Sequence, residues 1–202
     1  SLDPRKSVKE LIGEPLKIYK ACKNRDEYDA RIAEIMETVG LDERYAESFS
    51  HELDGGRRQR IGIARALSLN PRFIVCDEPV SALDVSIQAQ ILNLLMDLQD
   101  ELDLAYMFVT HDLSVVKHIS DSIMVMYLGR CVELAPSDEL FANPLHPYTK
   151  ALISNCGTLD TEGFHPIQIS GEPPVPIGQA PGCGFAPRCW LTCPRCTEKD
   201  PV

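Results

Sequence analysis

Residues 72–84 read Arg-Phe-Ile-Val-Cys-Asp-Glu-Pro-Val-Ser-Ala-Leu-Asp, and this stretch decides the fold class. Phe73, Ile74, Val75 and Cys76 form a short apolar run rich in β-formers, bounded by Asn70-Pro71 and by Pro79. A run this short between turn signals reads as a strand buried on both faces, as in a parallel sheet. Asp77 and Glu78 stand at its C-terminal end, the edge where open α/β sheets bind ligands. One carboxylate there can hold a hydrated Mg2+, and the next can polarise a water aimed at a phosphate. A solvated acidic turn would look the same on this stretch alone, so the neighbours must decide.

Downstream, Ile87, Ile91, Leu94, Leu95, Leu98 and Leu102 mark an amphipathic helix over 85–102 whose stripe packs into a core. Residues 105–110 form a second apolar run ending in His111, and Asp112 can cap a short helix over 113–119. Strand, acidic turn, helix, strand, His turn and helix make a βαβα order, which implies a parallel sheet. His111 therefore belongs to the same sheet edge as Asp77 and Glu78, where an imidazole can contact a γ-phosphate or position water. A hairpin over 122–134 turns at Leu128-Gly129-Arg130, and short helices are expected over 137–141 and 148–155. Upstream, residues 26–39 have helical spacing, whereas 1–24 hold Pro4, Gly13 and Pro15 around a brief apolar pattern. Leu53-Asp54-Gly55-Gly56-Arg57 opens a further helix, and its dipole favours an anion at the glycine pair.

The 202 residues suffice for one sizeable domain and an appendage. A net charge of −10 argues against a general nucleic-acid-binding surface. No run approaches a membrane span and no signal segment opens the chain, so a cytosolic protein able to dock on a membrane partner is expected. The opening Ser-Leu-Asp-Pro, without Met, reads as a fragment. Cys22, Cys76, Cys131 and Cys156 read as free thiols. Cys183, Cys189, Cys193 and Cys196 instead crowd into a Pro/Gly-rich tail with no apolar period, which needs a staple. Disulfides are disfavoured in a reducing cytosol. Zinc usually takes two separated Cys-x-x-Cys pairs, and only Cys193–Cys196 has that form. Soft thiolates suit an iron–sulfur cluster equally well, and free thiols are the third alternative.

Taken together, these residues resemble the nucleotide-binding subunits of ABC transporters. Residues 53–57 look like the signature motif, Phe73 to Glu78 like Walker B with its catalytic glutamate, Ser81 to Asp84 like the D-loop, and His111 like the H-loop histidine. The ending, Asn143-Pro144-Leu145-His146-Pro147-Tyr148-Thr149-Lys150 and then the cysteine run, resembles the ATP-binding subunits of oligopeptide, dipeptide and nickel importers. The resemblance implies a partial P-loop NTPase fold, α/β in class. It divides into a helical subdomain over 1–70, a catalytic core over 71–135 and an importer-type extension over 136–202. It further implies that Asp77 reaches Mg2+ through water, Glu78 acts on the attacking water and His111 contacts the γ-phosphate of ATP. Asp54, Gly55, Gly56 and Arg57 would complete the site on a second ATPase subunit, with Ser81 and Asp84 crossing that interface. Two membrane permease subunits, and indirectly a substrate-binding protein, are the further partners, at the cytoplasmic face of the membrane. For the thiols the family favours a [4Fe–4S] cluster matching Cys183, Cys189 and Cys196, with Cys193 added by proximity and zinc as the alternative.

Two departures follow. No Gly-x-x-x-x-Gly-Lys-[Ser/Thr] occurs, and the family carries that loop and the Q-loop upstream, so this chain alone is expected neither to bind ATP well nor to hydrolyse it. Within the signature, the family's serine is Asp54 and its glutamine is Arg57, which is expected to impair the composite site built on this motif. A non-transport ABC-type ATPase and a non-hydrolysing regulatory or metal-binding subunit are the competing functions.

Overall fold

Ser7 opens the first helix with a reciprocal cap: its hydroxyl accepts from the Glu10 N–H and the Glu10 carboxylate accepts from the Ser7 N–H. This helix, α1 (Val8–Ile18), packs on α2 (Arg25–Thr38) and α3 (Gly55–Leu67). Together they bury Val8, Leu11, Ile12, Ile32, Ile35, Met36, Ile61 and Ala64. The computed structural model describes residues 2–155, 166–172 and 182–199. It divides into two compact units, Ser1–His111 and Asp112–Val202. Cys156 lies outside the described residues.

The sequence pattern assigns no helix to the stretch that holds Gly13 and Pro15, yet α1 runs through both. Gly13 is instead where the Tyr28 ring lies, since a Cβ there would stand 1.9 Å from the Tyr28 hydroxyl. α2, by contrast, covers nearly the residues expected, opened by the Asn24 side chain accepting from the Glu27 N–H.

The parallel pairing is present: β1 (Phe73–Asp77) pairs with β2 (Ala105–Val109), joined through α4 (Val85–Leu102). Burial of β1 on both faces is not. Phe73 and Val75 are about half exposed, as are Met107 and Val109 on β2, whereas Cys76 is buried. Among the described residues the sheet has two strands, so one face is left open.

The second unit holds α5 (Leu113–Ile119), the antiparallel pair β3 (Ser122–Tyr127) and β4 (Arg130–Pro136), α6 (Ser137–Ala142) and α7 (Pro147–Asn155). A one-turn α8 (Arg195–Glu198) follows. Its core joins Ile123, Val125 and Leu140 to Val116, Phe141, Leu152 and Ile153. Phe185 is fully buried against the rings of Tyr127, Tyr148 and His146, which anchors the Cys-rich tail to the hairpin and α7.

Candidate active site

The parallel topology brings Asp77, Glu78 and His111 to one edge of the sheet. Glu78 follows β1 in the left-handed region, φ 46°. Its N–H donates to the Val109 carbonyl at 2.8 Å, tying the acidic turn to the end of β2. The Ser81 hydroxyl donates to the Glu78 carbonyl at 3.2 Å. So pinned, the Glu78 carboxylate Oε1 lies 3.0 Å from His111 Nδ1. Both side chains are open to solvent, 49% for Glu78 and 75% for His111, so an incoming ligand can reach them. A hydrogen-bonded carboxylate and imidazole at a sheet edge can hold and pass a proton. Asp77 ends β1 exposed. A hollow of about 550 Å³ lies beside the acids, lined by Asp77, Glu78, His51, Arg58 and Gln59 among others.

Asp54 is the N-cap of α3, accepting from the Arg57 N–H at 2.8 Å. That backbone bond, foremost, holds its carboxyl below the usual carboxylate range. The Arg57 guanidinium also pairs with the Asp54 carboxylate, and it lies over the Tyr45 ring, 4.9 Å from the centroid. Sequence reasoning missed Tyr45, because it sits in a short turn with no periodicity to mark it. Gly55 and Gly56 are closely approached here by side chains. A Cβ on Gly55 would stand 2.9 Å from Leu83 Cδ2, and one on Gly56 2.7 Å from Ile87 Cγ2. The glycine pair thus seats the start of α3 against the Ser81–Asp84 turn and the first turn of α4. Asp84 in turn caps α4, accepting from the Ile87 N–H at 3.1 Å.

The four tail cysteines are neighbours without being gathered into a cage. Cys193 and Cys196 Sγ are 3.6 Å apart. The Cys183 N–H donates to the Cys196 carbonyl at 2.8 Å, and Gly182 just before it adopts φ 87°. The Leu191 N–H donates to Cys189 Sγ at 3.3 Å. Burial pushes the Cys189 thiol up against that bond, and the thiols of Cys183, Cys196 and Cys193 add to the rise. Hydrogen bonding from Cys196 lowers the Cys193 thiol. No group of three or more His, Cys, Asp or Glu side chains is already arranged to hold a metal ion among the described residues.

Two family models match the chain. That for the ABC transporter covers residues 1–81, and that for the C-terminal region of oligopeptide/dipeptide transporters covers 132–196. The family these matches support is that of ABC transporters. The chain is 49% identical over 202 residues to the dipeptide transport ATP-binding protein DppF of Haemophilus influenzae, covering all of this chain and 62% of that protein. To the oligopeptide transport ATP-binding protein OppF of Escherichia coli it is 51% identical over 205 residues, covering all of this chain and 61% of that protein. The chain thus spans about three fifths of these relatives' lengths.

Among solved structures, a dimeric bacterial ABC transporter cassette, MJ0796, is 32% identical with a TM-score of 0.59 over 68% of this chain and 59% of that one. An inward-facing ABC transporter of putative metal-chelate type shares the fold, with a TM-score of 0.65 at 23% identity over 77% of this chain and 60% of that one. The fold neighbours of this α/β chain are thus ABC ATPases, which are P-loop NTPases.

Proposed function

We propose that the chain carries the hydrolytic end of an ATP-driven energy-coupling subunit of a peptide importer. The observation that carries this reading is the contact of Glu78 with His111 at the C-terminal edge of a parallel sheet, in a chain matching both family models. Asp77 holds Mg2+ through water, Glu78 orients the attacking water, and His111 both positions Glu78 and meets the γ-phosphate. Residues 54–57, with Ser81 and Asp84, face ATP held by a second ATPase subunit. Residues 1–70, whose helices flank a hollow of about 850 Å³ lined by Lys9, Lys17, Lys20, Arg25 and Tyr28 among others, meet the two permease subunits at the cytoplasmic face. No helix among the described residues is long and apolar enough to cross a membrane, which suits a peripheral subunit. The cargo class is oligopeptide or dipeptide, with nickel as the family's other cargo.

The thiols of Cys183, Cys189, Cys193 and Cys196 fit a [4Fe–4S] cluster in donor chemistry, and zinc is the alternative. The Leu191 N–H on Cys189 Sγ is the kind of hydrogen bond that stabilises a metal-bound thiolate. Such a centre would supply the staple that the Pro/Gly-rich tail lacks.

The test is ATP turnover by the assembled transporter with Glu78→Gln. Turnover falls about 10²–10⁴-fold, as for loss of a general base, while ATP binding is retained. Peptide-stimulated turnover at the unsubstituted rate sinks the assignment of Glu78.

A further inference from the structure

Tyr45 ends a single 3₁₀ turn, Glu43–Tyr45, and two guanidinium groups lie over its half-buried ring. The turn is fixed by its own backbone. Asp42 accepts from the Arg44 N–H at 3.0 Å through its carboxylate and from the Tyr45 N–H at 3.0 Å through its carbonyl. The Tyr45 carbonyl in turn accepts from the Ser48 N–H at 3.0 Å. Arg44 stands 4.8 Å from the ring centroid, donates to the Tyr45 hydroxyl at 2.9 Å and pairs with Asp42 at 3.4 Å, which steadies the ring. Arg57, in the first turn of α3, lies 4.9 Å from the same centroid and pairs with the Asp54 carboxylate. The ring thus belongs to one segment and the ion pair beside it to another.

An Asp and an Arg at i and i+3 of a helix are neighbours, yet an exposed pair must order a long side chain to stay together. A guanidinium held over a ring has already given up much of that freedom, and the π-face attracts it besides. We propose that Tyr45 is a positioning residue: its ring holds the Arg57 guanidinium at the Asp54 carboxylate, so that the anion at the start of α3 is neutralised before phosphate approaches it. This deepens, and rests on, the reading that residues 54–57 face ATP held by a second ATPase subunit. Without the ring, Arg57 swings into solvent and Asp54 meets the phosphates as a bare carboxylate.

Two measurements test it. In NMR spectra of the protein, the ring current is expected to shift the Arg57 side-chain protons upfield in wild type and Tyr45→Phe, and to leave them at random-coil values in Tyr45→Leu. Random-coil values in wild type overturn the proposal. In the assembled transporter, Tyr45→Leu is expected to raise the ATP concentration for half-maximal turnover about 2–5-fold, as for loss of an exposed cation–π contact, with Tyr45→Phe at the wild-type value. In an Asp54→Ser background the same substitution is expected to have no such effect, because no carboxylate is left to neutralise. A rise of equal size in both backgrounds, or no rise while Asp54→Ser alone lowers the half-maximal concentration, overturns the role given to Tyr45. Indifference to Asp54→Ser and Tyr45→Leu alike refutes the reading that residues 54–57 face ATP, and the role with it. If Tyr45→Leu does not fold, Tyr45→Met removes the π-face in its place.

Discussion

Replacing Asp54 separates two roles that act in opposite directions. As the N-cap of α3 it accepts from the Arg57 N–H at 2.8 Å, a bond whose loss to Ala costs about 1 kcal/mol. It also pairs with the Arg57 guanidinium, with side chains 55% and 42% exposed, and solvent screening limits such a pair to about 0.2–1 kcal/mol. Serine keeps the cap and loses the pair, whereas alanine loses both. Urea unfolding should place Asp54→Ser about 0.2–1 kcal/mol below wild type and Asp54→Ala about 1–2 kcal/mol below it. For a chain of this size each kcal/mol moves the melting temperature by about 2–4 °C.

The pH dependence has a definite sign. The folded carboxyl is held below its unfolded value, so its stabilisation is complete above about pH 4 and is lost as pH falls through the lowered value. The gap between wild type and Asp54→Ala therefore narrows on acidification. On the proposed reading, in which Asp54 faces the phosphates of ATP held by a second subunit, the charge acts the other way. Two unit charges about 4 Å apart repel by about 4 kcal/mol at an effective dielectric of about 20, and pairing with Arg57 returns only part of that. Asp54→Ser should therefore raise ATP turnover while costing less stability than Asp54→Ala. Equal losses of stability in the serine and alanine variants would refute the cap argument, and unchanged turnover in Asp54→Ser would refute the electrostatic one.

Gly182→Ala places a Cβ 2.4 Å from the Cys196 carbonyl at a φ of 87°, so a loss of about 1–3 kcal/mol and faster alkylation of Cys196 are expected. Unaltered alkylation and melting would show that the Cys183–Cys196 turn does not depend on this glycine. Burial pushes the Cys76 thiol up to about 11, so at neutral pH a maleimide should label exposed Cys131 and Cys193 while sparing Cys76. Mass mapping that finds Cys76 labelled in folded protein contradicts this. Leu11 is fully buried among α1, α2 and α3, and Leu11→Ala should cost about 2–5 kcal/mol in chemical unfolding. A neutral result would mean that these helices do not share a core.

What could be read from sequence was whatever one element settles by itself. The helix over 85–102 matches α4 residue for residue, because an unbroken stripe and the Asp84 cap act within a single segment. The parallel pairing of β1 with β2 was legible too, since a crossover helix leaves few other topologies. The exposure of Phe73 and Val75 was not, because the burial of a strand depends on what covers the sheet. α1 escaped because the use of Gly13 lies in Tyr28, fifteen residues away, and local propensity carries no record of that. The Asp54–Arg57 pair follows from helical spacing, whereas the ring that completes it belongs to another segment.

The contact of Glu78 with His111 belongs to both kinds. Topology is enough to bring the two to one edge, but not to make them touch. The residue before a proline is biased to extended backbone. Instead Glu78 is left-handed, a state that costs a non-glycine residue about 1–3 kcal/mol unless its surroundings impose it. The surroundings do impose it. Val109 takes the Glu78 N–H on one side and Ser81 holds its carbonyl on the other, so the carboxylate turns across to the imidazole 33 residues later. The strained residue is thus the one that faces the histidine, and the strain fixes where its carboxylate stands.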